Sequence, residues 1–439
     1  MLKKNIVIWV FIYICVFCYS FFVSSIFGDE IWNYGVAYNI STGMVPYRDF
    51  NLVTTPLYPM LASVFIKIFG SYLYSFYIFN TIIVTLIIFI SYKVVGKKIW
   101  VLVPFIVLYS YPGYNILSIL LLFIILYVIS SNKRRKDVII GLLVCLLFLT
   151  KQTVGVCLFI PMIYYSKDKI KSFISFLIPI IIFLIYLLWN QALYQFIDYC
   201  FLGLFDFGKS NSNLLFLPFE IVVVCVLIYY LFKSKFKKQE YFYVLMFQII
   251  TAPIFDDYHF MLGFIPFIYL LLQRKQIIDY KFKYYVIIAW FTCIFLSIKL
   301  NHFHDIYLIQ DKNSYLYGRN IPEYIEKGIR NIGNYINQNR DDYDNIYFFN
   351  INSYLIKLSI EYPLSKYDLI NNGNMGYHGY SKYIHEVDNY CEENKCMFIL
   401  YRYEFREDNS NQTNRDLFDY VVDKYNKIDS IDLFDVYVN

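Results

Sequence analysis

The stretch GDEIWNYGVAYNISTGMVPYRDFNLVTTPLYPMLASVFIKIFG, residues 28–70, separates the first two apolar runs of the chain, 5–27 and 72–92. It is long, aromatic and amphipathic, and its second half, 57–69, has the pattern of a helix that lies along a membrane interface. The run at 5–27 follows a basic N-terminus but lacks a small-residue cleavage site. We interpret that run as an uncleaved first transmembrane helix and residues 28–71 as the first loop outside the membrane.

The composition excludes a freely soluble protein. Of the 439 residues, 58% are hydrophobic and only 17% are charged, and the mean hydropathy is +0.46. A soluble domain carries about a quarter charged residues. The positive charges form short clusters between apolar runs, which is typical of membrane topology and does not indicate a nucleic-acid partner.

Eleven apolar runs are candidates for transmembrane helices, since such a helix needs about 20 apolar residues to cross the hydrocarbon. The runs are 5–27, 72–92, 99–112, 114–131, 138–150, 153–166, 172–190, 213–232, 240–255, 260–273 and 282–300. Several are short, and the pairs around Pro112 and Thr150 can each be interpreted as one broken helix. We therefore predict about eleven crossings, within about two.

The Lys and Arg clusters predict the orientation of these helices. They lie at 3–4, 93–98, 133–136, 167–171, 233–238 and 274–283, at alternate helix ends. Because loops rich in Lys and Arg stay in the cytoplasm, we expect a multi-pass protein of the cell membrane. Its N-terminus is predicted to be cytoplasmic and the tail after residue 300 extracytoplasmic.

The tail, 301–439, is predicted to be a separate domain after a transmembrane domain at 1–300. It holds 22 of the 34 acidic residues, unlike the basic part before it. Its predicted helices are 321–339, 353–363, 380–394 and 415–427, and its predicted strands are 344–350, 367–373, 396–403 and 432–438. Strands that alternate with helices predict a small α/β domain with a mainly parallel sheet.

The nine cysteines fit this division of the chain. Seven lie in or beside apolar segments, where cysteine packs as a small hydrophobic residue. Cys391 and Cys396, in the tail, either form a bridge across a helix-to-strand turn or stay reduced. No Cys or His spacing indicates a zinc site.

Acidic residues before residue 301 are concentrated at the predicted outer face. Eight of the twelve lie at outer helix ends or in outer loops: Asp29, Glu30, Asp49, Asp198, Asp206, Glu220, Asp256 and Asp257. A protein that avoids charge and yet keeps these carboxylates on one side is expected to perform its polar chemistry there.

Five motifs at this face carry a resemblance to a known family. They are the Asp29-Glu30 pair, PYRDF at 46–50, PLYP at 56–59, FLTKQTVG at 148–155 and DDYHFMLGFIPF at 256–267. In order and location they resemble GT-C glycosyltransferases, in particular protein O-mannosyltransferases and the bacterial aminoarabinose transferases that modify lipid A. The resemblance implies a hexosyl- or pentosyltransferase that uses a polyprenyl-phosphate-linked sugar and inverts the anomeric carbon. The acceptor is a glycan, a lipid or a protein.

Such a reaction needs one base, because a lipid phosphate is already a good leaving group. Asp29 is the candidate for the base that takes the acceptor proton; the alternative is that it only marks the end of the first helix. Glu30 is expected to orient the acceptor or a neighbouring group, and is otherwise a solvated carboxylate.

The leaving phosphate needs cations held in a site of low dielectric constant. Lys151, among apolar neighbours, is the main candidate, with snorkelling to the interface as the alternative. Arg48 either grips phosphate or pairs with Asp49, and His259 either binds substrate or is hydrogen-bonded locally. The same motifs supply four further substrate-binding candidates, namely Tyr47, Gln152, Asp257 and Tyr258.

The sequence specifies no cofactor. A divalent metal ion is an open alternative, with Asp256, His302 and His304 near the outer face as its candidate ligands. The main rival function is a transporter or flippase of lipid-linked glycans. Such proteins place charged groups near the middle of the bilayer and often contain internal repeats. Neither feature is visible in this sequence, which favours the enzyme.

Overall fold

The computed structural model describes residues 2–23, 28–131, 135–206, 217–251, 256–273, 282–300, 307–312, 314–349, 374–402 and 412–439. The helices before residue 301 are α1 (Leu2–Cys18), α2 (Gly28–Ser41), α3 (Leu57–Phe69), α4 (Leu73–Val95), α5 (Val103–Leu108), α6 (Tyr114–Ser130), α7 (Lys136–Thr150), α8 (Gln152–Tyr165), α9 (Lys169–Trp189), α10 (Leu193–Ile197), α11 (Leu217–Lys233), α12 (Gln239–Phe247), α13 (Asp257–Gln273) and α14 (Phe282–Leu300).

Each of the eleven apolar runs overlaps one of these helices, and the predicted interfacial helix at 57–69 is α3. In the described part of the chain, two helical stretches are long and apolar enough to cross a membrane, Leu73–Val101 and Lys169–Trp189. The other apolar helices are shorter. The number of crossings stays a prediction.

The two helices on either side of Thr150 form an antiparallel hairpin and not one broken helix. The N–H of Asp168, after α8, donates to Oδ2 of Asp137, at the start of α7, across 2.8 Å. At the turn, Gly155 lies against the backbone of Phe148, where a Cβ atom would come within 2.2 Å of the Phe148 Cα. Only glycine permits so close an approach, and it places Lys151 at the tip of the hairpin.

Burial differs sharply among the apolar helices. Helix α6 lies in the centre of the bundle, and its Ile119, Leu122 and Phe123 side chains are fully buried. Helix α9 lies at the periphery and leaves Ile182 and Leu188 about 60% exposed. A soluble protein would not leave so continuous an apolar surface in water.

The tail contains a mixed four-stranded sheet. After a two-residue pair, β1 (Tyr307–Leu308) and β2 (Asn320–Ile321), its elements are α15 (Glu323–Asn339), β3 (Asn345–Phe349), α16 (Gly379–Glu393), β4 (Cys396–Tyr401), α17 (Gln412–Lys424), β5 (Asn426–Ile431) and β6 (Phe434–Val438). The strand order is β3-β4-β6-β5. The pair β3–β4 is parallel, whereas β4–β6 and β5–β6 are antiparallel.

The prediction of a mainly parallel sheet is therefore wrong for the described residues. The cause is β5, which the sequence interpretation assigned partly to the end of a helix. Its residues are almost all exposed, so it lacks the apolar alternation that identifies a half-buried strand. It joins β6 through a tight turn at Asp432, whose φ is positive, and this hairpin forces the two strands to run antiparallel.

The predicted helix at 353–363 and strand at 367–373 lie outside the described residues. The other predicted helices and strands of the tail are present, with ends shifted by a few residues. Cys391 and Cys396 form a disulfide that joins the end of α16 to the start of β4, so the bridged alternative holds.

Candidate active site

The N-terminal ends of four helices meet at one place in the bundle. Trp32 of α2 packs edge-on against Tyr114 at the start of α6, with ring centroids 6.3 Å apart. Tyr111, just before α6, packs in the same way against Tyr258 at the start of α13, at 5.5 Å. Lys151, before α8, reaches the first turn of α6. Helix N-termini carry partial positive charge, so their convergence favours an anion.

Lys151 is the cation of this group. Its side chain is 8% exposed, and Nζ donates to Oδ1 of Asn115 across 3.1 Å and to the Ile250 carbonyl across 3.2 Å. The ammonium also lies 5.6 Å from the centroid of the Tyr114 ring. The ammonium is therefore held inside the protein by these contacts and by the nearby charge of Asp256, and it does not snorkel to the surface.

Asp256 and His259 form a second polar pair beside it. The Nδ1 of His259 lies 2.8 Å from Oδ1 of Asp256, and the same oxygen accepts the backbone N–H of His259 across 2.7 Å. Burial raises the pKa of the Asp256 carboxyl. The hydrogen bonds from His259 and the charge of Lys151 together lower it by a larger amount, so the pKa lies below its usual value. The His259 side chain is buried, and its ring orientation is fixed by the carboxylate.

Glu30, the second member of the predicted acidic pair, is fully buried at the start of α2. Its Oε2 lies 3.5 Å from Nη2 of Arg319, which is also fully buried. Tyr58 of α3 interacts electrostatically with both Glu30 and Tyr258, which connects the first turn of α2 to the start of α13. The side chains of Asp29 and Asp257 lie outside the described residues, although both positions belong to described helices.

Arg319 was not among the predicted site residues. It lies in the tail, beyond the last apolar run, in the sequence YGRN. A single arginine in a polar loop carries no local signal of burial, and its partner Glu30 is 289 residues away in the chain.

Two other candidates, Tyr47 and Arg48, lie in the loop between α2 and α3, and a third, Gln152 at the start of α8, contacts that loop. The Tyr47 hydroxyl donates to the Thr54 carbonyl across 2.9 Å, and the ring is fully buried. Gln152 Nε2 donates to the Val53 and Cys200 carbonyls at 2.9 and 2.8 Å. Its Oε1 is buried and has no hydrogen-bond partner among the described residues.

Arg48 pairs with its neighbour, which was one of the two alternatives for it. Its Nε and Nη2 donate to the two carboxyl oxygens of Asp49 at 2.7 and 2.9 Å. These hydrogen bonds lower the pKa of the Asp49 carboxyl. The guanidinium is nearly half exposed, and in this structure it is occupied by the carboxylate.

An apolar groove leads towards the convergent helix ends. It is a cavity of about 500 Å³ between α1, α5 and α14, with walls that include Phe11, Val107 and Trp290. Tyr19 lines both this groove and a small adjoining cavity that reaches Tyr111. Tyr111 packs against Tyr258, and Tyr258 packs against His259, so aromatic contacts connect the adjoining cavity to the polar group.

Glu220 is a further buried carboxyl in the first turn of α11. It is 6% exposed and heads a stripe of buried residues along the helix that includes Val223 and Leu227. Neither carboxyl oxygen has a hydrogen-bond partner among the residues that the structure describes. Its neighbour Phe219 packs against Phe260 of α13, so this end of α11 contacts the helix that carries His259.

Two of the acids that the sequence predicts at the outer face, Asp198 and Asp206, bind the tail. Their carboxylates accept the backbone N–H groups of Tyr377 and His378 at 3.0 and 2.8 Å. Asn51 likewise donates to the Asn374 carbonyl across 2.9 Å. The segment before α16 is thereby fixed over the loops that border the candidate site.

A metal site finds no support among the described residues, where no three His, Cys, Asp or Glu side chains are grouped suitably for an ion. Asp256 already binds His259, and His302 and His304 lie outside the described residues. The expectation of a metal ion therefore stays untested.

No protein-family profile matches the sequence, and no curated protein matches it significantly. Two solved structures of ArnT from Cupriavidus metallidurans match the fold, each with a TM-score of 0.61 and 10% identity. The one bound to undecaprenyl phosphate aligns with 100% of this chain and 98% of its own, and the apo structure with 99% and 98%. ArnT is an aminoarabinose lipid A transferase of GT-C fold, so the fold implied by the sequence motifs is confirmed.

Proposed function

We propose that this chain is a membrane glycosyltransferase that moves a sugar from a polyprenyl-phosphate carrier to an acceptor at the outer face of the cell membrane. The observation that carries the proposal is an apolar groove whose adjoining cavity reaches Tyr111, the neighbour of Tyr258 in the group of helix ends that holds the buried Lys151. A long hydrocarbon chain joined to a phosphate matches such a site in shape and in charge. The fold likeness to ArnT bound to undecaprenyl phosphate supports the same class of carrier.

The phosphate is assigned to the meeting point of the helix N-termini. Lys151 offers a desolvated cation there, and charge-assisted hydrogen bonds are stronger in such surroundings than in water. As the bond between the anomeric carbon and the phosphate oxygen breaks, its electron pair leaves on the phosphate, and the ammonium stabilises that charge. His259 and Tyr258 are assigned to the sugar or the phosphate beside it.

The base is assigned to Asp29. The acceptor hydroxyl gives its proton to the Asp29 carboxylate while its oxygen bonds to the anomeric carbon from the face opposite the phosphate, which inverts the configuration. Glu30 positions this helix end, and Tyr47, Arg48, Gln152 and Asp257 are assigned to the surrounding substrate-binding surface. No step is assigned to a metal ion, because the described residues offer no grouped donor set.

The proposed topology has a transmembrane domain at 1–300, a cytoplasmic N-terminus and an extracytoplasmic domain at 301–439. The disulfide between Cys391 and Cys396 supports an oxidising compartment for the tail. The exposed apolar face of α9 supports contact with lipid. The segment at 374–378, which binds Asp198 and Asp206, would then cover the site from outside.

The proposal is tested with membranes from cells with and without the gene. They are incubated with radiolabelled hexosyl and pentosyl polyprenyl phosphates, and label that moves from carrier to surface glycan, lipid or protein is identified by mass spectrometry. We expect transfer only with the gene, and Asp29→Asn to lower it at least 100-fold. Asp341→Asn, whose side chain is 97% exposed in the tail, is the matched control. Movement of a lipid-linked glycan across the membrane without transfer would instead identify a flippase.

A further inference from the structure

Arg319 lies on a hairpin of the tail that hydrogen bonds hold in place, and its side chain reaches the first turn of α2. The Ile309 N–H donates to the Arg319 carbonyl across 3.1 Å, and the Gly318 N–H donates to the Ile309 carbonyl across 2.9 Å. Gly318 has a φ of +77° beside the Phe21 ring, a conformation that a side chain would strain. The Leu73 N–H donates to the Tyr315 carbonyl and ties the hairpin to the start of α4.

The guanidinium of Arg319 lies entirely inside the protein. Nη2 donates to the Tyr77 hydroxyl across 3.0 Å and lies 3.5 Å from Glu30 Oε2, while Nη1 donates to the Phe21 carbonyl. The Phe21 and Tyr77 ring centroids lie 5.8 and 5.2 Å from its central carbon. The tail, α2, α4 and the turn after α1 are therefore joined at one charged side chain.

Burial makes this contact more than an ordinary surface ion pair. Both side chains have 0% exposure, and a charge removed from water is tolerated only when it is paired and hydrogen-bonded. Arg319 and Glu30 therefore bury their opposite charges against each other. The first turn of α2 is thereby fixed, and Asp29 belongs to that turn.

We infer that Arg319 is a positioning residue for the transferase. By pairing with Glu30 it fixes the first turn of α2 and cancels the negative charge next to Asp29. This inference rests on the proposed function. A base that had an uncompensated carboxylate beside it would bind its proton more tightly. Asp29 would then be protonated, and inactive, over more of the neutral range.

The other titratable groups that face the pair are few among the described residues. Tyr77 comes from α4 and Tyr58 from α3, and Asp29 is on the same helix as Glu30. The turn after α1 contributes only the carbonyl and ring of Phe21. Tyrosine hydroxyls are neutral below pH of about 9, whereas Arg319 brings a positive charge to Glu30.

The test measures kcat/KM for transfer against pH in four proteins: unsubstituted, Arg319→Lys, Arg319→Gln, and Glu30→Gln combined with Arg319→Gln. We expect Arg319→Gln to move the midpoint of the acid limb up by about one pH unit and to lower kcat more than it changes KM. Arg319→Lys keeps the charge and should leave the midpoint in place. The double variant removes both charges and should return the midpoint to the unsubstituted value.

The double variant also keeps the test informative where Arg319→Gln folds poorly, because it leaves no unpaired buried charge. Arg330→Gln, which breaks an exposed pair with Glu326 on α15, is the matched control and should behave as the unsubstituted protein. An unmoved midpoint in Arg319→Gln, or an equal shift in the double variant, would overturn the inference. Absence of transfer by the unsubstituted protein at every pH would instead overturn the proposed function, and this inference with it.

Discussion

Nζ of Lys151 and Oδ1 of Asn115 lie 3.1 Å apart, so the buried ammonium of the candidate site contacts a neutral amide on the side of α6. A carboxylate at position 115 would cancel the charge before a substrate arrived. The amide satisfies one N–H of the ammonium without neutralising its charge. This distinction between hydrogen bonding and neutralisation leads to the first prediction.

Lys151→Met should lower kcat/KM for the polyprenyl-phosphate donor about 100-fold, since a hydrogen bond to a charged group contributes about 1.5–3 kcal/mol. Asn115→Asp should raise KM about tenfold or more while Lys151 is still present, because the new carboxylate competes with the phosphate. Both are measured as initial rates at varied donor concentration. Lys67→Met, at the exposed end of α3, serves as the control. An unchanged KM in Asn115→Asp would remove Lys151 from the phosphate site.

The helices of the bundle could be predicted from sequence because hydrophobic runs report burial in lipid or protein directly. Helix α2 could not, and the reason is visible in its burial. Ile31, Tyr34 and Ala37 are buried, as are Glu30 and Asn33, so almost every side of the helix is covered. A helix that is covered on all sides shows no period of 3.6 residues. Its polar residues therefore resembled a loop.

The candidate site likewise contains residues that the sequence predicts and residues that it does not. Lys151 could be predicted, because an isolated ammonium between apolar segments must find a partner. Arg319 could not, since the sequence gives no sign that a hairpin of the tail inserts its arginine between α2 and α4. Contacts between distant segments depend on tertiary packing. Neither composition nor periodicity records them.

The Asp256–His259 pair should make stability depend on pH. The pKa of Asp256 lies below the usual value of 3.8, so the folded state binds this proton less tightly than the unfolded state. Its stabilising contribution is therefore complete above that value and is lost as the pH falls through the lower, folded-state pKa. We expect Asp256→Asn to lower the free energy of unfolding by about 1 kcal/mol at neutral pH, and by progressively less in acid.

This is measured as Tm in detergent between about pH 3 and pH 7, with the difference between the two proteins plotted against pH. Asp342→Asn, at an exposed position of the tail, is the reference. A difference that stays constant down to the lowest pH would show that the carboxylate is not the stabilising form.

The groove between α1, α5 and α14 should be specific for carrier length. Val107→Trp places a large side chain in the groove and should raise KM for a full-length polyprenyl-phosphate sugar at least tenfold. It should change KM far less for a carrier of two isoprene units, which reaches the phosphate site without filling the groove. Val156→Trp, on the exposed face of α8, is the control for the added indole. Equal effects on both carriers would place the hydrocarbon elsewhere.

Substitutions of Glu220 should show whether this carboxyl contributes to transfer although it destabilises the fold. A buried carboxyl without a hydrogen-bond partner among the described residues destabilises the fold, by about 1–3 kcal/mol for a polar group in protein. Glu220→Leu should therefore raise the Tm in detergent while it lowers transfer at least tenfold, and Glu220→Gln should lower transfer with a smaller gain in Tm. Glu240→Gln, half-buried at the start of α12, is the control. A variant that is both more stable and fully active would show that Glu220 has no part in the reaction. Higher stability with lost activity is the pattern expected of a residue that binds substrate.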